Sequence, residues 1–420
     1  MRERTVSSQV LGVVLALLGL VGFAVLVALR VPWHPVAGGT PGPVAVDSVF
    51  TAAEVRRASA YADGARLIGW TSLGVSLLVA CWLGFTPRGA RLLGRLPLPW
   101  LLRVIALVLA VLAIGRLVGL PFVLLAWRHR GSVGLTDQPV GGLLRDQAVG
   151  LGLAVVFTAV AVVVLIGLAR RLPRAWPIAA AVLGCGLVVA ATYMYPRIVE
   201  PAFNHFTPLP DGSLHDRIGA LAQKEGVPLD EVLVADASRR TTAANAYVSG
   251  VGDSRRIVVY DTLLAEMSEP EVLSVVAHEL AHARHDDVMT GALLGAAGTV
   301  MGVGLLASLL GSGRLRERAG VSGAGDPQVV ALVLALMAIG SLAAAPVENA
   351  VSRQLETRAD VDALKATGDP VAFEAMQRKL ALGAVSDPEP PAWSQWWFGS
   401  HPTVLQRIAV ARAIQNGSSN

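Results

Sequence analysis

Charge is what this chain has least of. Only 16% of its 420 residues are charged, against about 25% in an ordinary soluble domain, while 53% are hydrophobic and the mean hydropathy is +0.55. That excludes a single soluble globular domain and points to a polytopic membrane protein with a soluble part. Cysteine is scarce as well. Cys81 and Cys185 both lie inside apolar runs, so there is no disulfide framework and no cysteine metal spacing, and both read as small buried hydrophobes. The net charge of +4 comes almost wholly from arginine, clustered in short loops between apolar runs. That pattern is a topology signal and not a nucleic-acid footprint, and no nucleic-acid partner is expected. Neither a sequence repeat nor a low-complexity tract is present.

Long apolar runs are abundant. Val10–Leu29, preceded by Arg2 and Arg4, is long enough to cross a bilayer. A signal peptide would have a shorter core and a small-residue cleavage site, and Arg30-Val31-Pro32-Trp33 offers none. A Gly/Pro-rich loop (Val36 to Val44) and a polar helical piece around Ala52–Tyr61 follow. Leu67–Phe85, Val104–Trp127, Ala148–Ala169 and Trp176–Tyr195 predict four more spans. The third carries Arg116, and an arginine at that depth usually faces a bundle interior or a water-filled cavity, the alternative being that it snorkels from a tilted helix end. Met289–Leu310 and Val329–Val347 predict spans six and seven, separated by the basic loop Arg314 to Arg318.

Composition shifts at about Pro196. Ser213-Leu214-His215-Asp216 fits a helix start, with Gly226 and Pro228 ending that helix. Val232–Ala235, Ala246–Val251 and Arg256–Tyr260 predict short strands. Ser268-Glu269-Pro270-Glu271 is a capping box with proline in the first turn, opening a further helix. Glu348–Leu364 continues the seventh span in polar form, and the proline- and tryptophan-rich Pro388 to Trp397 suits a membrane surface. The expected division is an N-terminal membrane region with five transmembrane helices (1–196) and a second domain (197–420), interrupted by a transmembrane hairpin at about 289–347. The fold class is mainly α: a seven-span membrane helix bundle with an α+β domain carrying a small β-sheet.

Within the capped helix stands His278-Glu279-Leu280-Ala281-His282, the H-E-x-x-H pattern. Positions i and i+4 share one helix face, so both imidazoles reach one tetrahedral metal, and the glutamate beside them can act as general base. The motif marks 197–420 as a zincin-like zinc metallopeptidase domain, and a catalytic zinc needs a third protein ligand. His285 lies three residues past His282, where the metzincin pattern wants its third histidine six past, at Val288. It reads better as a polar helix-end residue. Glu356 is the stronger candidate. Asn349, Arg353, Glu356 and Asp360 form one polar stripe on a helix that packs inward, with Asp360 suited to orient a ligand histidine.

The chain resembles the type I CAAX prenyl endopeptidases, seven-span membrane zinc metallopeptidases. The resemblance rests on five ordered pieces over roughly 200–410: Phe203 to Leu209 with Asp211-Gly212; Asn245-Ala246-Tyr247 with Arg256 to Leu264; His278–His282; Asn349–Asp360; and His401-Pro402 with Arg407-Ile408. It implies one Zn2+ per chain on His278, His282 and Glu356, with Glu279 as general base for a zinc-bound water. It also implies that His401 hydrogen-bonds the oxyanion, that Asn245, Ala246 and Tyr247 hold the substrate as an added strand, and that Arg353 and Arg407 brace the site. A large chamber within the bundle is implied too, and Arg116 suits its wall. Expected partners are a peptide or protein substrate, lipidated or membrane-associated, and the lipid bilayer.

Three other readings compete. A site-2-type protease would place its aspartate motif downstream of H-E-x-x-H, whereas Pro208 to Gly212 lies upstream. A heat-shock-type membrane quality-control protease usually has fewer spans. A metal-binding transporter or receptor would need no Glu279. The arginine-, alanine- and glycine-rich composition suggests a bacterial cell membrane. The family implies a cytoplasmic catalytic side; the arginine loops (Arg88–Arg95, Arg170–Arg174, Arg314–Arg318) argue the reverse, and the expectation follows the family.

Overall fold

The computed structural model describes residues 7–94, 97–250 and 255–417. Arg2, Arg4, Arg95 and Val251, used above, lie outside them. Among the described residues seven helices are long and apolar enough to cross a membrane: Ser8–Arg30, Ala52–Gly84, Trp100–Ser132, Val140–Arg171, Trp176–Phe203, Asp287–Leu310 and Pro327–Thr367. Each matches one of the expected spans, the second ending at Gly84, one residue short of the expected Phe85. The second is longer than expected, because a Thr51–Glu54 capping box starts it at Ala52 and the polar piece is simply its first turns.

The first and sixth spans pack with almost no side chain between them. A Cβ on Gly19 would stand 2.3 Å from the Met301 nitrogen, and one on Gly304 would stand 2.3 Å from the Ala16 nitrogen. Small residues allow this approach, which in a bilayer replaces the missing hydrophobic drive between helices. Gly19→Leu is therefore expected to cost about 1–3 kcal/mol through overpacking, read as a lower thermal midpoint in detergent. An unchanged midpoint would mean the seam yields.

Four strands form one sheet in the order β1-β2-β4-β3: β1 Phe206–Pro208, β2 Glu231–Ala235, β3 Ala246–Ser249 and β4 Arg256–Tyr260. β2 and β4 are parallel and the other two pairs antiparallel. β1 has no counterpart in the sequence reading, since three residues ending in proline show no alternation. Val232, Ala246, Ile257 and Val259 turn one sheet face onto Val272, Val276 and Leu280 of the helix Glu269–Arg284. That helix is buried on nearly every side. Its start is the expected box, Glu271 accepting from both the backbone N–H (2.7 Å) and hydroxyl (2.8 Å) of Ser268.

The helix Ser213–Lys224 is also present, but Ser213 is not its cap. Gly212 holds that position, and the Ser213 hydroxyl sits 3.0 Å from both carboxylate oxygens of Glu269. The serine thus ties two helix starts together. At the other end of the domain, the loop between the first two spans lies on the C-terminal helices. Val44 N–H donates to Leu405 O (3.3 Å), and Arg378 reaches Val49 O (3.0 Å) and Glu54 (2.7 Å).

Candidate metal centre

His278 and His282 project from adjacent turns with their rings nearly perpendicular, at 85°, and their Nε2 atoms 3.2 Å apart. Glu356 comes from the helix of the seventh span. Its Oε2 lies 3.2 Å from His278 Nε2 and its Oε1 3.5 Å from His282 Nε2. Two ligands bound at about 2.0–2.1 Å to a tetrahedral ion stand roughly 3.3 Å apart, so the three donors match a shared cation. Two further observations support that fit. Glu356 Oε2 is buried with no hydrogen-bond partner. Burial would depress the His278 imidazole, but Asp360 and Glu356 outweigh it and push its pKa up to about 10, so the pocket favours positive charge. Among the described residues this is the group whose ligand atoms converge, all within 4.8 Å.

The far nitrogen of each histidine rests on a carboxylate, which fixes ring orientation and leaves Nε2 facing the centre. His278 Nδ1 meets Asp360 Oδ1 at 2.9 Å, and Arg407 grips Asp360 with Nε at 2.8 Å and Nη2 at 2.5 Å. His282 Nδ1 meets Asp287 Oδ2 at 2.8 Å, and Arg358 pairs with Asp287. The sequence reading named Asp360 and missed Asp287. The available signal was its position five residues after His282, but nothing local says the chain turns back there. His285 stands apart from the centre, with Nε2 2.7 Å from Asp362 Oδ2.

Glu279 is partly buried between the two ligand histidines in sequence, and burial raises its carboxyl above the ordinary value. A cation at the ligands opposes that shift. His401 Nε2 lies 3.4 Å from Glu356 Oε2 on the open side, with 57% of its side chain exposed. Asn349 and Arg353, expected beside the ligands, reach the segment that carries His401 instead. Asn349 Nδ2 donates to Trp397 O (2.5 Å); Arg353 Nη1 donates to Gly399 O (2.6 Å) and Gln395 O (3.3 Å). The short helix there, Ala392–Phe398, leans on the bundle: Trp397 Nε1 donates to Leu342 O (3.1 Å), and Trp393 packs on Trp70 at 4.3 Å. Arg353→Ala should consequently loosen the segment that carries His401, read as faster proteolytic nicking between Gln395 and His401, with metal content unchanged. Metal lost from that variant would give Arg353 a different role.

The three residues expected at the substrate divide. Asn245 is exposed, and its carbonyl accepts from Tyr260 N–H (3.0 Å) just before β3, one of the two edge strands. The Ala246 side chain is in the core, and Tyr247 faces the opposite side of the sheet, edge-on to Tyr260 at 6.3 Å. Asn245 and Tyr247 turn their backbone groups to β4 in the alternating ladder, so Ala246 is the one of the three whose backbone faces an added strand. Arg116, in the third span, donates to Gln147 (2.6 Å) of the fourth.

Known proteins match this arrangement. The family description "CAAX prenyl protease N-terminal, five membrane helices" matches residues 40–205, and "Peptidase family M48" matches residues 208–415. A metalloprotease called YhfN of Bacillus subtilis (strain 168) is 29% identical over 326 residues, covering 75% of this chain and 74% of its own. The CAAX prenyl protease 1 homolog of Oryza sativa subsp. japonica is 31% identical over 235 residues, 54% of this chain and 53% of its own, so this chain spans about half of that relative. The crystal structure of S. mikatae Ste24p shares the fold, with a TM-score of 0.79 at 20% identity over 95% of this chain and 98% of that one. With the two family descriptions together running almost continuously from residue 40 to 415, the chain belongs to the CAAX prenyl protease family of M48 metallopeptidases, multi-pass membrane proteins with a metal-dependent peptidase domain.

Proposed function

We propose that this chain is a zinc metalloendopeptidase that hydrolyses peptide bonds of membrane-associated peptide or protein substrates. The observation that carries the reading is the convergence of His278, His282 and Glu356 on one point, with Glu279 on the same helix. Two imidazoles and a carboxylate are the donor set of a catalytic zinc with one open position. A zinc ion held there would acidify water and polarise the scissile carbonyl. Glu279 accepts the proton of the attacking water and returns it to the leaving amine. His401, on the open side, donates a hydrogen bond to the developing oxyanion. The outer edge of β3, entered at Asn245, pairs with the backbone of an extended substrate.

The working unit in this reading is the peptidase part, 197–420, closed by the membrane hairpin, whose two helices pack against preceding spans. Its place is a bacterial cell membrane, and lipid anchoring would bring substrates to it. The catalytic side we assign to the cytoplasm, following the family. The exposed arginines at the opposite span ends (Arg88 and Arg91, Arg170 to Arg174, Arg314 and Arg318) favour the reverse, and a reporter active on one side only, fused after the last residue, decides between them. For the chemistry, the test is metal analysis of the purified full chain with cleavage of quenched peptides before and after chelation. About one zinc per chain, with activity lost on chelation and restored by zinc, is expected. Cleavage that survives complete metal removal would overturn the reading.

A further inference from the structure

The two ligand histidines are supported in the same way, each by a carboxylate that an arginine holds. His278 leans on Asp360, on the helix of the seventh span, and on Arg407 beyond it. His282 leans on Asp287 and Arg358, where the chain enters and leaves the membrane hairpin: Asp287 is the first residue of the helix of the sixth span, and Arg358 lies two residues past Glu356 on the helix of the seventh. We infer that the Asp287–Arg358 pair is a positioning unit for the metal centre, through which the membrane hairpin sets the tautomer and orientation of His282. The inference rests on the reading of His278, His282 and Glu356 as metal ligands.

Three features carry it. First, the geometry is specific. An aspartate at a helix start is common for its effect on the helix dipole alone, but that effect needs no partner on another helix. Asp287 instead divides its oxygens, Oδ2 to His282 Nδ1 at 2.8 Å and Oδ1 to Arg358, with only 10% of its side chain exposed. Second, the backbone is bent to make the contact. Asp286, the second of the two residues between the motif helix and the sixth span, is in the left-handed region at φ 51°, and its own carboxylate is held by Arg255. Without that turn Asp287 would continue along the motif helix, and i+5 does not face i. Third, Arg358 is committed to this contact, with 15% of its side chain exposed and its Nε buried without a partner. A buried guanidinium is strongly placed when its charge is met by one carboxylate. With Nδ1–H donated to Asp287, His282 presents its Nε2 lone pair toward Glu356 and His278. The ligand supplied by the motif helix and the ligand supplied by the seventh span are then locked to each other across the mouth of the hairpin.

The test measures metal binding apart from turnover, on the full chain in detergent. Zinc affinity is read by competition with a chromophoric chelator, and ligand geometry by the visible absorption of the cobalt(II)-loaded protein. Asp287→Ala is expected to weaken zinc about 10–100-fold and to change the cobalt spectrum. Asp287→Asn, which keeps the shape and one acceptor, should fall between it and the wild type. Arg358→Gln should weaken zinc in the same direction, and the double variant should lose less than the sum of the two. Asp286→Asn, which keeps the left-handed turn and touches no ligand, should match the wild type. If Asp287→Ala is poorly folded, Asp287→Asn and Arg358→Gln carry the decision. Zinc affinity within twofold of the wild type in those variants, with an unchanged cobalt spectrum, would overturn the inference. A wild type that binds no zinc would instead overturn the ligand assignment itself.

Discussion

Glu279→Gln is expected to abolish peptide hydrolysis while leaving the metal in place. The substitution keeps the volume and the partly buried position on the motif helix, but an amide cannot take a proton from water at neutral pH. Loss of a general base lowers kcat by about 10²–10⁴-fold, and little of that should appear in KM if Glu279 acts only as charge develops. The metal should remain, because Glu279 is not among the three residues whose ligand atoms converge. The measurement is paired: quenched-peptide turnover and zinc per chain on the same preparation. Turnover near the wild-type rate would remove Glu279 from the mechanism. Zinc loss would make it a ligand and return the third-ligand question to Glu356. A transporter or receptor reading predicts no hydrolysis in either protein, so the comparison also separates the enzyme from its non-enzymatic rival.

What could be read from the sequence follows from how far each relationship reaches along the chain. The spans announce themselves, because twenty apolar residues in a row have few other uses. The H-E-x-x-H pair is a local fact of helix geometry, and Glu356 was reachable because its stripe sits on a helix leading inward from the seventh span. The stripe then divides in a way periodicity cannot show. Glu356 and Asp360 turn to the histidines, whereas Asn349 and Arg353, two turns and one turn earlier, meet the backbone of Gln395, Trp397 and Gly399. The same face serves two partners because the helix outruns the site. Asp287 was hidden for the opposite reason. Its contact with His282 is short in sequence but depends on one left-handed residue, and aspartate carries no reliable sign of that. β1 and the Ser213–Glu269 contact escaped because each is defined by a distant partner and not by a pattern of its own.

The Asp360–Arg407 pair should matter more for the fold than any other ion pair at the centre. Asp360 has 1% of its side chain exposed and Arg407 has 13%, so neither is solvated if the other is removed. Breaking such a pair from one side costs up to about 3–5 kcal/mol where the buried charge is left uncompensated, less the share that the His278 imidazole beside Asp360 offsets. Arg407→Ala is the sharper case, because it strands Asp360 beside His278 and leaves a space behind the ligand. Its thermal midpoint should fall by several degrees in detergent with chelator present, where metal binding adds nothing to stability. With zinc present the difference should widen, because Asp360 also sets the His278 ring, and weaker binding gives less ligand-linked stabilisation. Replacing both residues together, Asp360→Asn with Arg407→Gln, removes the stranded charge. It should recover part of the metal-free loss but not the zinc-dependent part. That split distinguishes two roles of one pair: burial energetics, which the double change repairs, and ligand orientation, which it cannot. If the metal-free midpoint of Arg407→Ala stays at the wild-type value, Asp360 finds solvent or another cation when Arg407 is gone, and the pair serves the ligand alone.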